Sequence, residues 1–283
     1  MLPCRVIALN LHRTAAAAAG ALILAGACAS PLKPVVAPAT PPAPLPTPAP
    51  SPSAASAPQP TASQPKPTPK PGATRCPTTL AGELARTAGA AQLITVTAPA
   101  PGATSASISL WQRSGGCWSL VAGPWPARVG GTGVSDHHRE GDGSTPAGLY
   151  GIGPVMYGLA ADPGVRYAYH RLACGDWWDE DSASPTYNTF QHVACNATPP
   201  FKGKSEALWQ ATTAYQHFAV VDYNAHPVIP GAGSAVFLHD DTGRPTIGCV
   251  SVASASLIRL LQWLDPSQSP VIVIGTEAEI RRF

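Results

Sequence analysis

Leu238-His239-Asp240-Asp241-Thr242-Gly243-Arg244-Pro245-Thr246-Ile247-Gly248-Cys249-Val250 sets a histidine at the end of an apolar, strand-like run and a cysteine ten positions later, between a glycine and a valine. Those are the parts of a thiol acyl-transfer centre. A cysteine thiol has a pKa of about 8.5, so only a few per cent is thiolate near neutrality, and a nearby imidazole raises that fraction. Gly248 lets a substrate carbonyl approach the sulfur closely, and backbone N–H groups beside Cys249 stabilise the oxyanion that forms. A histidine and a cysteine taken singly are more often core residues than a catalytic pair. The rest of the chain has to decide between the two.

The chain begins with Arg5 and Arg13, an apolar run over residues 15–25 and small residues just before Cys28, the pattern of an export signal over residues 1–28. Its apolar core is shorter than the roughly 20 residues a spanning helix needs. Leu24-Ala25-Gly26-Ala27-Cys28 resembles a bacterial lipoprotein box, which makes Cys28 the lipidation candidate and the sole route to a membrane. Ordinary cleavage after Ala27 or Ala29 is the alternative. Residues 29–73 are dominated by Pro, Ala, Thr, Ser and Lys, with no aromatic residue, so they cannot build a core. Such a chain favours polyproline II and reads as a tether with a reach on the order of 100 Å.

The formal charge is +2, yet the first 73 residues hold five basic residues and no acidic ones, leaving residues 74–283 near −3. That balance argues against nucleic acid as a partner. Some 210 residues are enough for one domain with a substantial core. Of the seven cysteines, Cys4 and Cys28 belong to the signal region, leaving Cys76, Cys117, Cys174, Cys195 and Cys249. Five is odd, and in an oxidising compartment the unpaired one is the candidate reactive thiol. The simplest assignment joins Cys76 to Cys117 and Cys174 to Cys195 and leaves Cys249 free, although other pairings fit the same count.

Alternating, β-branched segments at 92–97 and 105–111, separated by a turn around Pro99 and Gly102, predict a β-hairpin. Further short strands are expected at 218–222, 234–239 and 271–274. Helices are expected at 79–88 and at 254–264, where Leu257, Leu260, Leu261 and Leu264 form one apolar stripe before Asp265-Pro266. The stripe should pack against the sheet that carries Cys249. The fold class is therefore mainly β, a β-rich α+β domain with a few short helices. A glycine-rich loop, Arg139-Glu140-Gly141-Asp142-Gly143-Ser144-Thr145-Pro146-Ala147-Gly148-Leu149-Tyr150, lacks the lysine and helix start of a phosphate cradle and reads as a tight turn.

Three segments together, Thr145-Pro146-Ala147-Gly148-Leu149-Tyr150, the strand ending in His239, and Thr246-Ile247-Gly248-Cys249-Val250, make the chain resemble the cysteine L,D-transpeptidases of bacterial peptidoglycan. The similarity covers roughly residues 93–275. Within the family it is closest to a disulfide-bearing branch with Arg-Glu-Gly-Asp-Gly before Thr-Pro and a stretch like Cys174-Gly175-Asp176-Trp177-Trp178. The resemblance implies a mixed β-sheet or sandwich catalytic domain, needing no metal and no cofactor, in which Cys249 is the nucleophile and His239 the general base. It assigns Gly248, Thr246, Ser251, Thr145 and Pro146 to oxyanion and substrate binding. It implies peptidoglycan stem peptides as partners, carbapenem-type β-lactams as inhibitors, and a place in the bacterial cell envelope. Most members carry Ser/Thr-His-Gly-Cys with Arg or Asn two residues later; here Ile247 replaces that histidine, Ser251 stands at the Arg/Asn position, and the first histidine lies closer to the cysteine.

The same thioester resolved by water gives an L,D-carboxypeptidase, and resolved by a protein amine it attaches that protein to the wall. A non-catalytic peptidoglycan-binding lipoprotein is the rival from another class. His137 and His138 are adjacent loop histidines of the kind usually exposed to solvent. A zinc site at His239-Asp240-Asp241 is disfavoured, because neighbouring strand residues point to opposite faces.

Overall fold

The computed structural model describes residues 75–283 apart from Ala88 and Lys204. The expected export segment, Cys28 and the tether lie outside the described residues. A four-residue helix, α1 (Leu80–Glu83), and a 3-10 turn at Ala85–Thr87 precede a meander of β1 (Gln92–Ala98), β2 (Ser105–Ser114) and β3 (Cys117–Arg128). The short strands β4 (Val134–Ser135) and β5 (Thr145–Pro146) pair in parallel at the two ends of the glycine-rich loop. Next come β6 (Gly148–Gly158) and β7 (Ala168–Arg171), then β8 (Asp176–Asp179), β9 (Thr189–His192) and β10 (Glu206–Ala207), which form a separate three-stranded sheet. β11 (Phe218–Val221), β12 (Phe237–Asp240), β13 (Val250–Val252), α2 (Ser254–Trp263) and β14 (Val271–Thr276) complete the domain.

The large sheet runs β11-β12-β13-β3-β2-β1-β14-β6-β7. β6 pairs with β14 between Gly148 and Gly151 and with β11 between Ile152 and Tyr157, so the sheet closes on itself in a barrel-like ring. The mainly β expectation holds. The hairpin of residues 92–111 is β1–β2, antiparallel with Leu93 opposite Trp111. α2 buries Leu257, Leu260 and Leu261, followed by Leu264, in one cluster with Val250 and Val252, so the leucine stripe does brace the strand that follows Cys249.

Two expectations are corrected. The helix over 79–88 stops after one turn: Thr79 caps it through Gly82 N–H at 3.0 Å, but Leu84 turns to ψ 98°. Its side chain joins Ala81, Leu93 and Trp118 in a cluster separate from that of the α2 leucines. The strand over 234–239 begins only at Phe237, because Gly233 and Ala235 both have left-handed backbone, φ +110° and +52°. Among the described residues no helix is long and apolar enough to cross a membrane.

Cys76 pairs with Cys117 and Cys174 with Cys195, and Cys249 is the free cysteine among those described. Replacing Leu260 by alanine is expected to cost about 2–5 kcal/mol, since its side chain is wholly buried. Urea unfolding of variant and parent checks this.

Candidate active site

The site rests on the parallel pairing of β12 with β13, Leu238 opposite Val250 and His239 opposite Ser251. Cys249 therefore lies just before β13, alongside Phe237. Side chains alternate along each strand, so Phe237, His239 and Cys249 share one face while Leu238, Val250 and Val252 turn to the core cluster that includes the α2 leucines. The Cys249 thiol donates to the Ala235 carbonyl at 3.2 Å and its sulfur accepts from Phe237 N–H at 3.3 Å. Burial pushes its pKa up, the Glu206 and Glu180 carboxylates push the same way, and the Phe237 N–H opposes them weakly. The resting group is a neutral thiol. The left-handed backbone at Ala235, rare for a residue with a Cβ, aims that carbonyl at the sulfur, and Asn188 Oδ1 holds the Ala235 N–H at 3.1 Å.

His239 is also buried, with Nδ1 2.8 Å from the Asp240 carbonyl oxygen. That contact keeps the proton on Nδ1 and leaves the lone pair on Nε2. Burial lowers the His239 pKa below its ordinary value, so the ring is a neutral base at physiological pH. Its edge packs on Tyr215, centroids 5.7 Å apart, and Tyr215 donates its hydroxyl hydrogen to Glu206. Among the described contacts no hydrogen bond joins His239 to Cys249.

Cys249 opens on a cavity of about 180 Å³. Glu140, Glu180 and Glu206 line it, and no lysine or arginine does among the described residues. Glu140 accepts from Tyr187 and from Ser234 Oγ, the latter at 2.6 Å. Glu206 accepts from Tyr215, and Oε1 of Glu180 is buried with no hydrogen-bond partner among the described residues. Burial, reinforced by Glu206 and Glu140, pushes the Glu180 pKa up to about 9. Ile247 stands at the cavity with 83% of its surface exposed. His138 lines it too, its side chain 5% exposed, whereas His137 faces solvent as expected for a loop histidine. Among the described residues no three His, Cys, Asp or Glu side chains form a metal-binding group.

The residues expected to serve the oxyanion and substrate fall into separate places. Thr246 and Thr145 donate to the Cys249 carbonyl at 2.6 and 3.1 Å, and Gly248 N–H donates to Thr246 Oγ1 at 3.2 Å. They clamp the Cys249 backbone. Among the described contacts the Cys249 N–H has no hydrogen-bond partner. Thr145 and Pro146 are buried behind the loop, with Thr145 Oγ1 also accepting from Gly130 N–H at 2.8 Å. Ser251 is buried and donates to Asp241, which pairs with Arg128 at 3.0 Å; the structure does not bring it to the cavity. Glu180 and Glu206 were not legible in advance, because one sits in an acidic run and the other stands alone, and only β8–β10 pairing joins them.

Fold and site define a β-sheet domain built around one free, histidine-flanked cysteine. The L,D-transpeptidase catalytic domain model, YkuD, matches residues 104–273, more than half of the chain, and the chain belongs to that family. No match was found to it among curated proteins or solved structures.

Glu180 yields a pH prediction. With its folded pKa raised to about 9 from an ordinary value near 4.5, the native state holds a proton that the unfolded state releases, so stability falls as pH rises between those values. Glu180→Gln is expected to raise the melting temperature by a margin that widens from pH 5 to pH 9. Parallel thermal melts measure it.

Proposed function

We propose that the protein is an L,D-transpeptidase that forms 3→3 peptidoglycan crosslinks through a thioester on Cys249. The observation that carries this reading is the one unpaired cysteine among the described residues, at a cavity and on the same sheet face as a strand histidine held as a neutral base, in a chain of this family. Cys249 leaves the Ala235 carbonyl, gives its proton to His239 Nε2 and attacks the amide carbonyl between the third and fourth residues of a donor tetrapeptide stem. The Cys249 N–H stabilises the oxyanion. Collapse transfers the proton from His239 to the leaving amine, releasing the terminal D-alanine and leaving the thioester. The amine of a neighbouring stem then resolves it. The two disulfides support an oxidising, extracytoplasmic setting, and lipidation of Cys28 would hold the domain to a membrane.

Intact-protein mass spectrometry with a carbapenem tests the nucleophile: an adduct is expected on the native protein and none on Cys249→Ala. His239→Gln should slow acylation by a factor on the order of 10² to 10⁴. Because burial depresses the His239 pKa, the acid limb of the native acylation profile is expected below pH 6.5. Tetrapeptide stems that lose D-alanine without ever forming dimers would mark a carboxypeptidase, and dimers would mark a crosslinking enzyme.

A further inference from the structure

His138 faces the Cys249 cavity with one nitrogen anchored and the other free. Nδ1 lies 3.1 Å from Asp142 Oδ1 and 3.0 Å from Ser144 Oγ. Asp142 is itself fixed by the backbone N–H groups of Arg139 and Ser144, each at 2.8 Å. A carboxylate at Nδ1 keeps the proton there and leaves the lone pair on Nε2. No hydrogen bond within the described residues uses Nε2. The ring lies close against Gly233, where a Cβ would stand 2.3 Å from Nε2, and Tyr223 packs edge-on at 5.2 Å. This is an oriented base at the Cys249 cavity, on a different element from His239.

Resting on the transpeptidase reading, we propose that His138 is the general base of the second half-reaction, its Nε2 taking a proton from the ammonium group of the acceptor before that amine attacks the Cys249 thioester. The freed amine bonds to the thioester carbonyl carbon, and collapse of the tetrahedral intermediate breaks the C–S bond. The surplus N–H proton passes to the departing sulfur. An amide, a neutral Cys249 thiol and the His138 imidazolium remain, and the imidazolium returns its proton to water. Glu140 on the cavity wall and an oxygen of buried Glu180 that has no donor among the described residues are acceptors an arriving ammonium group can reach. The titratable groups facing His138 are Asp142 and Glu140 on its own loop, Tyr223 beside it, and Glu180, Glu206 and Cys249 around the cavity. Burial holds its pKa below the ordinary value against the pull of Asp142 and Glu140, so it is neutral when the acceptor arrives.

The test compares two rates on the full chain: Cys249 acylation by a carbapenem, and dimer formation from tetrapeptide stems bearing a free side-chain amine. His138→Asn keeps an amide near Asp142 and Ser144 and removes the Nε2 base. Acylation is expected within about threefold of the parent, with dimer formation reduced by about 10²- to 10⁴-fold at pH 7. The deficit should shrink as pH approaches the amine pKa and free amine needs no base. Asp142→Asn should give a smaller deficit of the same pH form, and it carries the test should His138→Asn melt below the assay temperature. Unchanged dimer formation, or equal loss of both rates in a folded variant, overturns the proposal alone. A parent protein that acylates but only hydrolyses overturns it as well, and a parent that never acylates removes the transpeptidase reading on which it rests.

Discussion

Pairing of Leu238 with Val250 fixes everything the site does. In a parallel ladder a slip of one residue would turn Cys249 and His239 away from the aromatic wall and toward the leucines of α2, exchanging a solvent-reachable cavity for solid core. What prevents the slip is the opposite face: Leu238, Val250 and Val252 have no exposure to give up, and they share a cluster with Leu257, Leu260 and Leu261. Cys249 and His239 are thus positioned by residues on the opposite face of the sheet. The two threonine hydroxyls on the Cys249 carbonyl finish the job locally, since a cysteine at the end of a loop would otherwise be free to swing.

Electrostatically the cavity disfavours a thiolate. Burial is the chief cause, the Glu206 side chain adds to it, and a neutral thiol bonded to Ala235 is the result. Such a centre is protected from adventitious oxidation, since the thiolate is the form that oxidants attack.

Much of this was readable along the chain. The odd cysteine, the leucine stripe of α2 and the β1–β2 alternation are local patterns, and each appears in the fold nearly where the spacing puts it. The shortened first helix and the late start of β12 were not, because Leu84 is drawn by a distant core and Ala235 adopts a backbone geometry that no composition rule gives to alanine. His138 shows the limit most clearly. It is one of two adjacent loop histidines of similar appearance, and Gly233, far along the chain, makes room for its ring.

The closing strand of the barrel is also the last in sequence. β14 lies between β1, the first strand of the domain, and β6, so the ring stays open until the extreme C-terminal segment is present. Contacts of that span are slow to form. A chain stopped short of Val271 would expose two unsatisfied strand edges at once, β1 and the first half of β6, and would be an aggregation-prone species rather than a smaller enzyme. β14 is thus the lock of the domain, the element that joins its first strand to β6.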